Sequence, residues 1–201
     1  TAGWGALGVA RVELARGRLQ AALAALGEAA PSITDRLGGI ELQGLRAQAS
    51  LAAGDRGAAL TAARAGLALL REAPAATFST LTGSAGVAAA MIALEDGTPS
   101  GATAHERSEA LRLLGRFASV FPIGRPRLWL QRGDFRQRQG RFGRALAAWR
   151  RASAAAQALD MPYDELLAQQ ALARHAAGAE AAAAAVRTAA LEARLGLAPV
   201  V

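Results

Sequence analysis

The sequence predicts an all-α fold, a stack of about five antiparallel helix hairpins, and three observations carry that prediction. Alanine, then leucine, dominates an apolar share of 52%, while aromatic residues make up only 4%. Alanine and leucine are strong helix formers, whereas a sheet would call for β-branched and aromatic side chains. Glycine-marked turns recur at Gly17, Gly54, Gly97, Gly140 and Gly178, with spacings of 37, 43, 43 and 38 residues. Between these turns apolar residues step by three and four, the period of a helix with one buried stripe. Recurrence of a helix-turn-helix unit along a chain is the mark of a repeat array.

The first hairpin is expected over 3–30, with Leu19, Ala22, Leu23 and Leu26 as the stripe of its second helix and Pro31 after its end. The second, over 32–73, turns at Gly54-Asp55-Arg56 and buries Leu60, Ala63, Leu67 and Leu70, and Pro74 follows it. The third, over 77–120, holds the most apolar stretch, Ala85–Leu94. That stretch is about half the roughly 20 residues a membrane span needs, so it reads as a buried helix. Thr103-Ala104-His105-Glu106 has the form of a capping box and opens the second helix of this pair.

The fourth hairpin, over 125–160, is the clearest. Pro126 suits a first helical turn, where a missing N–H costs nothing. The first helix runs to about Gln139 and Gly140 makes the turn. Phe142, Ala145, Leu146, Trp149, Ala152, Ala156 and Leu159 form the stripe of the second helix, with Arg144, Arg150, Arg151 and Gln157 opposite. The fifth, over 162–196, starts at Pro162 with a helix from Tyr163 to Ala177 and ends on the alanine-rich helix Ala179–Leu195. Longer linkers occur only near 73–77, 97–101 and 121–125, and none has the composition of a domain linker. The whole of 1–201 therefore reads as one continuous domain, and the start at Thr1 suggests a piece of a larger protein.

The unit at 126–159 resembles a tetratricopeptide repeat (TPR). Trp129 and Gly133 fall at the first-helix aromatic and small positions, Gly140 at the turn, and Phe142, Ala145, Trp149 and Ala152 at the second-helix aromatic and alanine positions. Trp4-Gly5-Ala6-Leu7-Gly8 matches the local W-x-x-L-G pattern, although Gly17 arrives two residues late, and the unit around Gly54 keeps Gly54 and Ala59 without the aromatics. The spacings exceed the roughly 34 residues of a standard repeat. Longer, degenerate repeats of this kind are similar to the C-terminal sensor regions of bacterial STAND-type ATPase regulators related to MalT, and of cyclases or kinases fused to an ATPase. The run Ala158-Leu159-Asp160-Met161-Pro162-Tyr163-Asp164, followed by 166–173, resembles a recurring segment of those tails. The resemblance implies a TPR-like α-solenoid that binds a partner or ligand and controls an attached output. The end at Val201 without a helix-turn-helix favours the cyclase or kinase arrangement over a LuxR-type regulator.

Several chemistries find no support in the residues. There is no cysteine, which excludes disulfides and thiolate metal sites. There is no G-x-x-x-x-G-K-[ST] loop and no lysine to complete one, since all 23 basic residues are arginine. Gly83-Ser84-Ala85-Gly86 reads as close helix packing and not as a nucleophile elbow, which would need a strand before it. Neither His105 nor His175 has a second histidine or a cysteine at helical ligand spacing, so no metal site is expected and surface or packing roles are. Asp164 and Glu165 are explained by the dipole of a helix N-terminus, and Glu95-Asp96 reads as solvent-facing. Nucleophiles, acids and bases are scattered singly, so no catalytic residue, enzyme activity or cofactor is expected.

The densest charge cluster is Arg125, Arg127, Arg132, Arg136, Arg138, Arg141, Arg144, Arg150 and Arg151, interleaved with Trp129, Phe135, Phe142 and Trp149. A nucleic-acid interface would need those arginines to converge beside exposed aromatics. Trp149 and Phe142 lie on the apolar stripe, so core aromatics with a solvated arginine face is the preferred reading. The net charge of +7 is read against an arginine- and alanine-rich composition of the kind GC-rich bacterial genomes produce.

The working surface of such an array is expected on the face lined by first helices. It would show Arg127, Leu130, Asp134, Gln137 and Arg138 in the best unit, Glu41, Gln48 and Leu51 in the unit before Gly54, and Glu165 and His175 in the last. A mixed-charge groove with an apolar floor suits a protein or peptide segment, including an acidic one. The expected function is thus a non-catalytic, cytoplasmic binding scaffold in the regulatory part of a bacterial signalling protein. A sensor for a small-molecule effector is the alternative, a nucleic-acid module is less favoured, and no membrane partner is expected.

Overall fold

The computed structural model describes residues 2–73, 77–94 and 101–197. The expected turn at Asp96-Gly97, the pair Glu95-Asp96 and Pro74 lie outside the described residues. Those described form helices, short 3-10 turns and loops, with no strand among them. The helices are α1 (Ala2–Ala15), α2 (Leu19–Ala29), α3 (Arg36–Ala52), α4 (Arg56–Glu72), α5 (Leu81–Ala93), α6 (Ala104–Val120), α7 (Arg125–Arg138), α8 (Phe142–Ala158), α9 (Pro162–His175) and α10 (Gly178–Leu195). They pair in chain order as the turn spacing predicts.

Local chemistry sets the ends. Asp35 caps α3 by accepting from the Gly38 N–H at 2.8 Å, and Asp55 caps α4 by accepting from Ala58 N–H at 2.9 Å. The capping box at α6 is complete: Glu106 N–H donates to Thr103 Oγ1 at 3.1 Å, and Thr103 N–H donates to Glu106 Oε2 at 2.7 Å. Gly140 sits between α7 and α8 at φ +71°, a left-handed conformation that a side chain would strain.

The chain divides into two compact units, Thr1–Val120 and Phe121–Val201, parting at the linker near residues 121–125. In the first unit Leu7, Ala10, Leu26, Ala29, Leu42, Leu45 and Ala49 pack as one cluster across α1, α2 and α3. The glycine-rich α5 is almost wholly buried, and it meets α3 backbone to backbone. A Cβ on Gly44 would lie 2.1 Å from the Gly83 carbonyl oxygen, and one on Gly86 would lie 2.6 Å from the Gly44 oxygen. Ser84 is 2% exposed in the middle of this contact, so Gly83-Ser84-Ala85-Gly86 is a helix-packing patch.

The core of the second unit joins α7, α8, α9 and α10 through Leu130, Ala145, Trp149, Ala152, Ala168, Ala171, Leu172 and Ala184. Trp149 is 1% exposed. Burying an indole removes roughly 200 Å² from water, worth about 5 kcal/mol before entropy is counted. Gly133 makes room for it, since a Cβ there would lie 2.2 Å from Trp149 Nε1. Phe142 departs from the expected stripe. It is 60% exposed, because it is the first residue of α8 and stands at the hairpin tip, where the apolar stripe runs past the end of its partner helix.

Candidate functional site

On α7 the helical period brings Arg127, Leu130, Asp134, Gln137 and Arg138 to one side. Leu130 is buried in the core and forms its floor. Arg127 is committed: its Nε donates to Asp164 Oδ1 on α9, and its guanidinium lies over the Tyr163 ring, 5.3 Å from the centroid. Burial pushes the Tyr163 phenol up from its ordinary range. Further along, Trp149 Nε1 donates to Asp134 Oδ1 at 2.9 Å. His175, at the end of α9, stacks on the same indole with centroids 5.0 Å apart and planes 19° from parallel.

Asp134, Trp149 and His175 thus form one cluster from three helices. Burial raises the Asp134 carboxyl above its usual range, against the opposing pull of the indole N–H and of Arg174, Arg138 and His175. Arg138, Arg174 and His175 are exposed around it, and Gln137 is half-buried. The Arg174 Nε donates to the Gln170 carbonyl of its own helix at 3.2 Å, while Arg138 has no ion pair among the described residues. A cationic rim over a half-buried carboxylate and an indole is suited to hold carbonyl and carboxylate groups of an extended segment.

The other predicted site residues lie elsewhere. Glu165 is 3% exposed and turns toward the second helices. It accepts from Arg187 at 2.7 and 2.9 Å and from Gln157 Nε2 at 2.7 Å, and the Arg187 hydrogen bond holds its carboxyl low. Asp164, one residue earlier, takes the place facing α7. The acidic pair is therefore split between two ion pairs, which goes beyond a helix-dipole explanation. In the first unit, Glu41 is 4% exposed, and its Oε2 accepts from the Gly83 N–H at 2.6 Å, at the start of α5. Gln48 is half-buried with its amide against Gly86, and Leu51 is half-buried. Glu41 and Gln48 thus pack against α5, and α3 does not offer them as an open face.

Sequence reasoning missed Asp164, Tyr163 and the Trp149 indole N–H as parts of this constellation. The helical register of α7 could have suggested Asp134 as the acceptor, fifteen residues before Trp149. No local signal pairs Arg127 with Asp164, thirty-seven residues away.

Two cavities bear on the ligand-sensing alternative. One, in the first unit between Ile40, Leu70, Thr80, Ser84, Leu113 and Phe117, has a volume of about 20 Å³, room for a single water. The other is an open groove of about 410 Å³ between α8 and α10 with α9 as its floor. Its polar groups are already matched: Arg150 with Glu180 at 2.6 Å, and Gln169 with Ser153 at 2.9 Å. Among the described residues no group of three or more acidic or histidine side chains could hold a metal ion, and no helix is long and apolar enough to cross a membrane. His105 is 85% exposed, with Glu109 at 3.9 Å.

No family model matches the chain, and no curated protein matches it in sequence. In three dimensions it is similar to the crystal structure of a thermophilic TPR protein from Thermus thermophilus, at 22% identity and a TM-score of 0.55, over 94% of this chain and 98% of that one. The all-α helical-repeat fold read from the turns is thereby shown.

Proposed function

We propose, taking the helical-repeat fold as premise, that the chain is a non-catalytic scaffold that binds a protein or peptide segment along the α7–α9 face. The observation that carries this reading is the cluster of Asp134, Trp149 and His175, rimmed by the exposed Arg138 and Arg174. Charged groups at the rim orient a segment, while the indole and Leu130 behind them keep the site rigid. A regulatory role within a signalling protein follows from the sequence resemblance and is part of the same proposal.

Charge reversal at Arg127 would break its buried pairing with Asp164 and confuse binding with folding, so the test belongs at Arg138. Peptides selected on the wild-type chain from a random display library are measured against Arg138→Glu and His175→Ala. A loss of about tenfold or more, with helicity unchanged by circular dichroism, is expected. Selected peptides that bind both variants as well as wild type remove this face from consideration.

A further inference from the structure

The helices of each unit are stapled by a repeated ion pair. In the first unit Arg64, the ninth residue of α4, forks onto Glu106, the third residue of α6, at 2.7 Å. In the second, Arg150, the ninth residue of α8, forks onto Glu180, the third residue of α10, at 2.6 Å. One second helix donates from its ninth position and the next accepts at its third. The third residue of α8 is Arg144, so its receiving end carries the donor's sign.

The unit that contains this end is also the cationic one. Residues 121–201 hold 12 arginines against 6 acids, which is +6 of the chain's +7. Arg132 and Arg151 lie over the Trp129 ring at 4.8 and 4.9 Å, and Arg136 Nη1 donates to the Arg144 carbonyl at 3.3 Å. None of these four arginines is paired with a carboxylate among the described residues. Burial, then Arg132, Arg144, Arg151 and Arg141, lowers the proton affinity of Arg136, as expected where like charges crowd without a counter-ion. Phe142 stands 60% exposed beside them in a shallow depression with Arg141 and Arg144.

We propose that this α7–α8 seam, around Trp129 and Arg144, docks an acidic amphipathic helix of a protein partner. Arg144 and Arg151 are seven residues apart, two turns along α8 and about 10 Å, so glutamates with the same spacing on the partner meet both. Phe142, at the hairpin tip, shares a shallow depression with Arg144 and supplies an apolar contact at that end of the seam alone. Nucleic acid is the weaker occupant. The Trp129 indole is already covered by two guanidinium groups, which leaves Phe142 as the one large exposed aromatic beside these arginines, too few rings to stack a run of bases. Carboxylate is also the group that arginines of this chain fork onto in the staples at Glu106 and Glu180. The proposal rests on the partner-binding reading but uses a different face from the Asp134 cluster.

The test uses the full chain and a labelled alanine–leucine helical peptide with two glutamates seven residues apart, its glutamine twin, and a labelled single-stranded oligonucleotide, followed by fluorescence anisotropy. The glutamate peptide is expected to bind wild type at least about tenfold more tightly than the glutamine twin. Arg144→Glu with Arg151→Glu weakens it at least about tenfold, while Arg138→Glu leaves it within about twofold. The exposed Arg144→Glu alone gives the same direction if the double variant melts early. Equal binding of the twin, binding indifferent to the reversal, or no binding of the glutamate peptide to wild type overturns the proposal. So does tighter, Arg144-dependent binding of the oligonucleotide, which would make the seam a nucleic-acid interface. Sensitivity to Arg138→Glu alone overturns the seam while leaving the α7–α9 face standing.

Discussion

At the scale of single residues, Trp149 and its neighbours show how one side chain serves both packing and the candidate site. Its ring fills the space left by Gly133, its N–H satisfies Asp134, and its face carries His175. Gly133→Ala places a methyl where the indole nitrogen stands, so it should destabilise by about 1–3 kcal/mol, read as a lower denaturant midpoint with unchanged slope. Asp134 gives a pH signature. Burial holds its carboxyl above the ordinary range, so folding favours the protonated form, and the cost of ionising it grows as pH rises through that range. Asp134→Asn keeps an acceptor for the indole and removes the charge. It is expected to raise Tm at pH 7, and the gain should fade as pH drops below about 4.

At the scale of elements, the hairpins were readable because their signals are local. Pro126, the glycine turns and the Thr103–Glu106 box each act within a few residues, and the stripe of α8 follows from its own period. Phe142 misled because a stripe does not reveal where its partner helix stops. The pairings Arg127–Asp164, Glu41–Gly83 and Arg187–Glu165 depend on register between helices, which no spacing along one helix encodes. The arginine cluster was visible in the sequence, but its convergence on Trp129 was not.

The box at α6 is itself testable. Thr103→Ala removes the acceptor for the Glu106 N–H and should cost about 1 kcal/mol, measured by chemical denaturation. Glu106 is held at about 2, first by its hydrogen bond with Arg64, with Thr103 adding to it. A depressed carboxyl stabilises the fold above the ordinary glutamate range and loses that contribution as pH falls toward 2. The deficit of Glu106→Gln relative to wild type should therefore be largest near neutrality and close at strongly acidic pH.

At the scale of the whole molecule, the two units differ in charge more than in construction. Residues 1–120 carry 11 arginines and 10 acids, whereas residues 121–201 carry +6. Self-repulsion of the second set is screened by salt. Expressed separately, 121–201 should melt at a higher temperature as sodium chloride is raised from about 50 to about 500 mM, while 1–120 should shift little. Equal shifts in the two fragments would show that the arginines of the second unit are neutralised within it.

The contact of α3 with α5 has a mechanical consequence. Where Gly44, Gly83 and Gly86 bring two main chains together, no rotamer can swing aside and no methylene can slide. Elsewhere leucine and alanine interdigitate, and a small displacement exchanges one van der Waals neighbour for another. Parting the two helices there would leave bare main chain with little side chain to fill the gap, so the α3–α5 contact is expected to be the least deformable joint of the first unit.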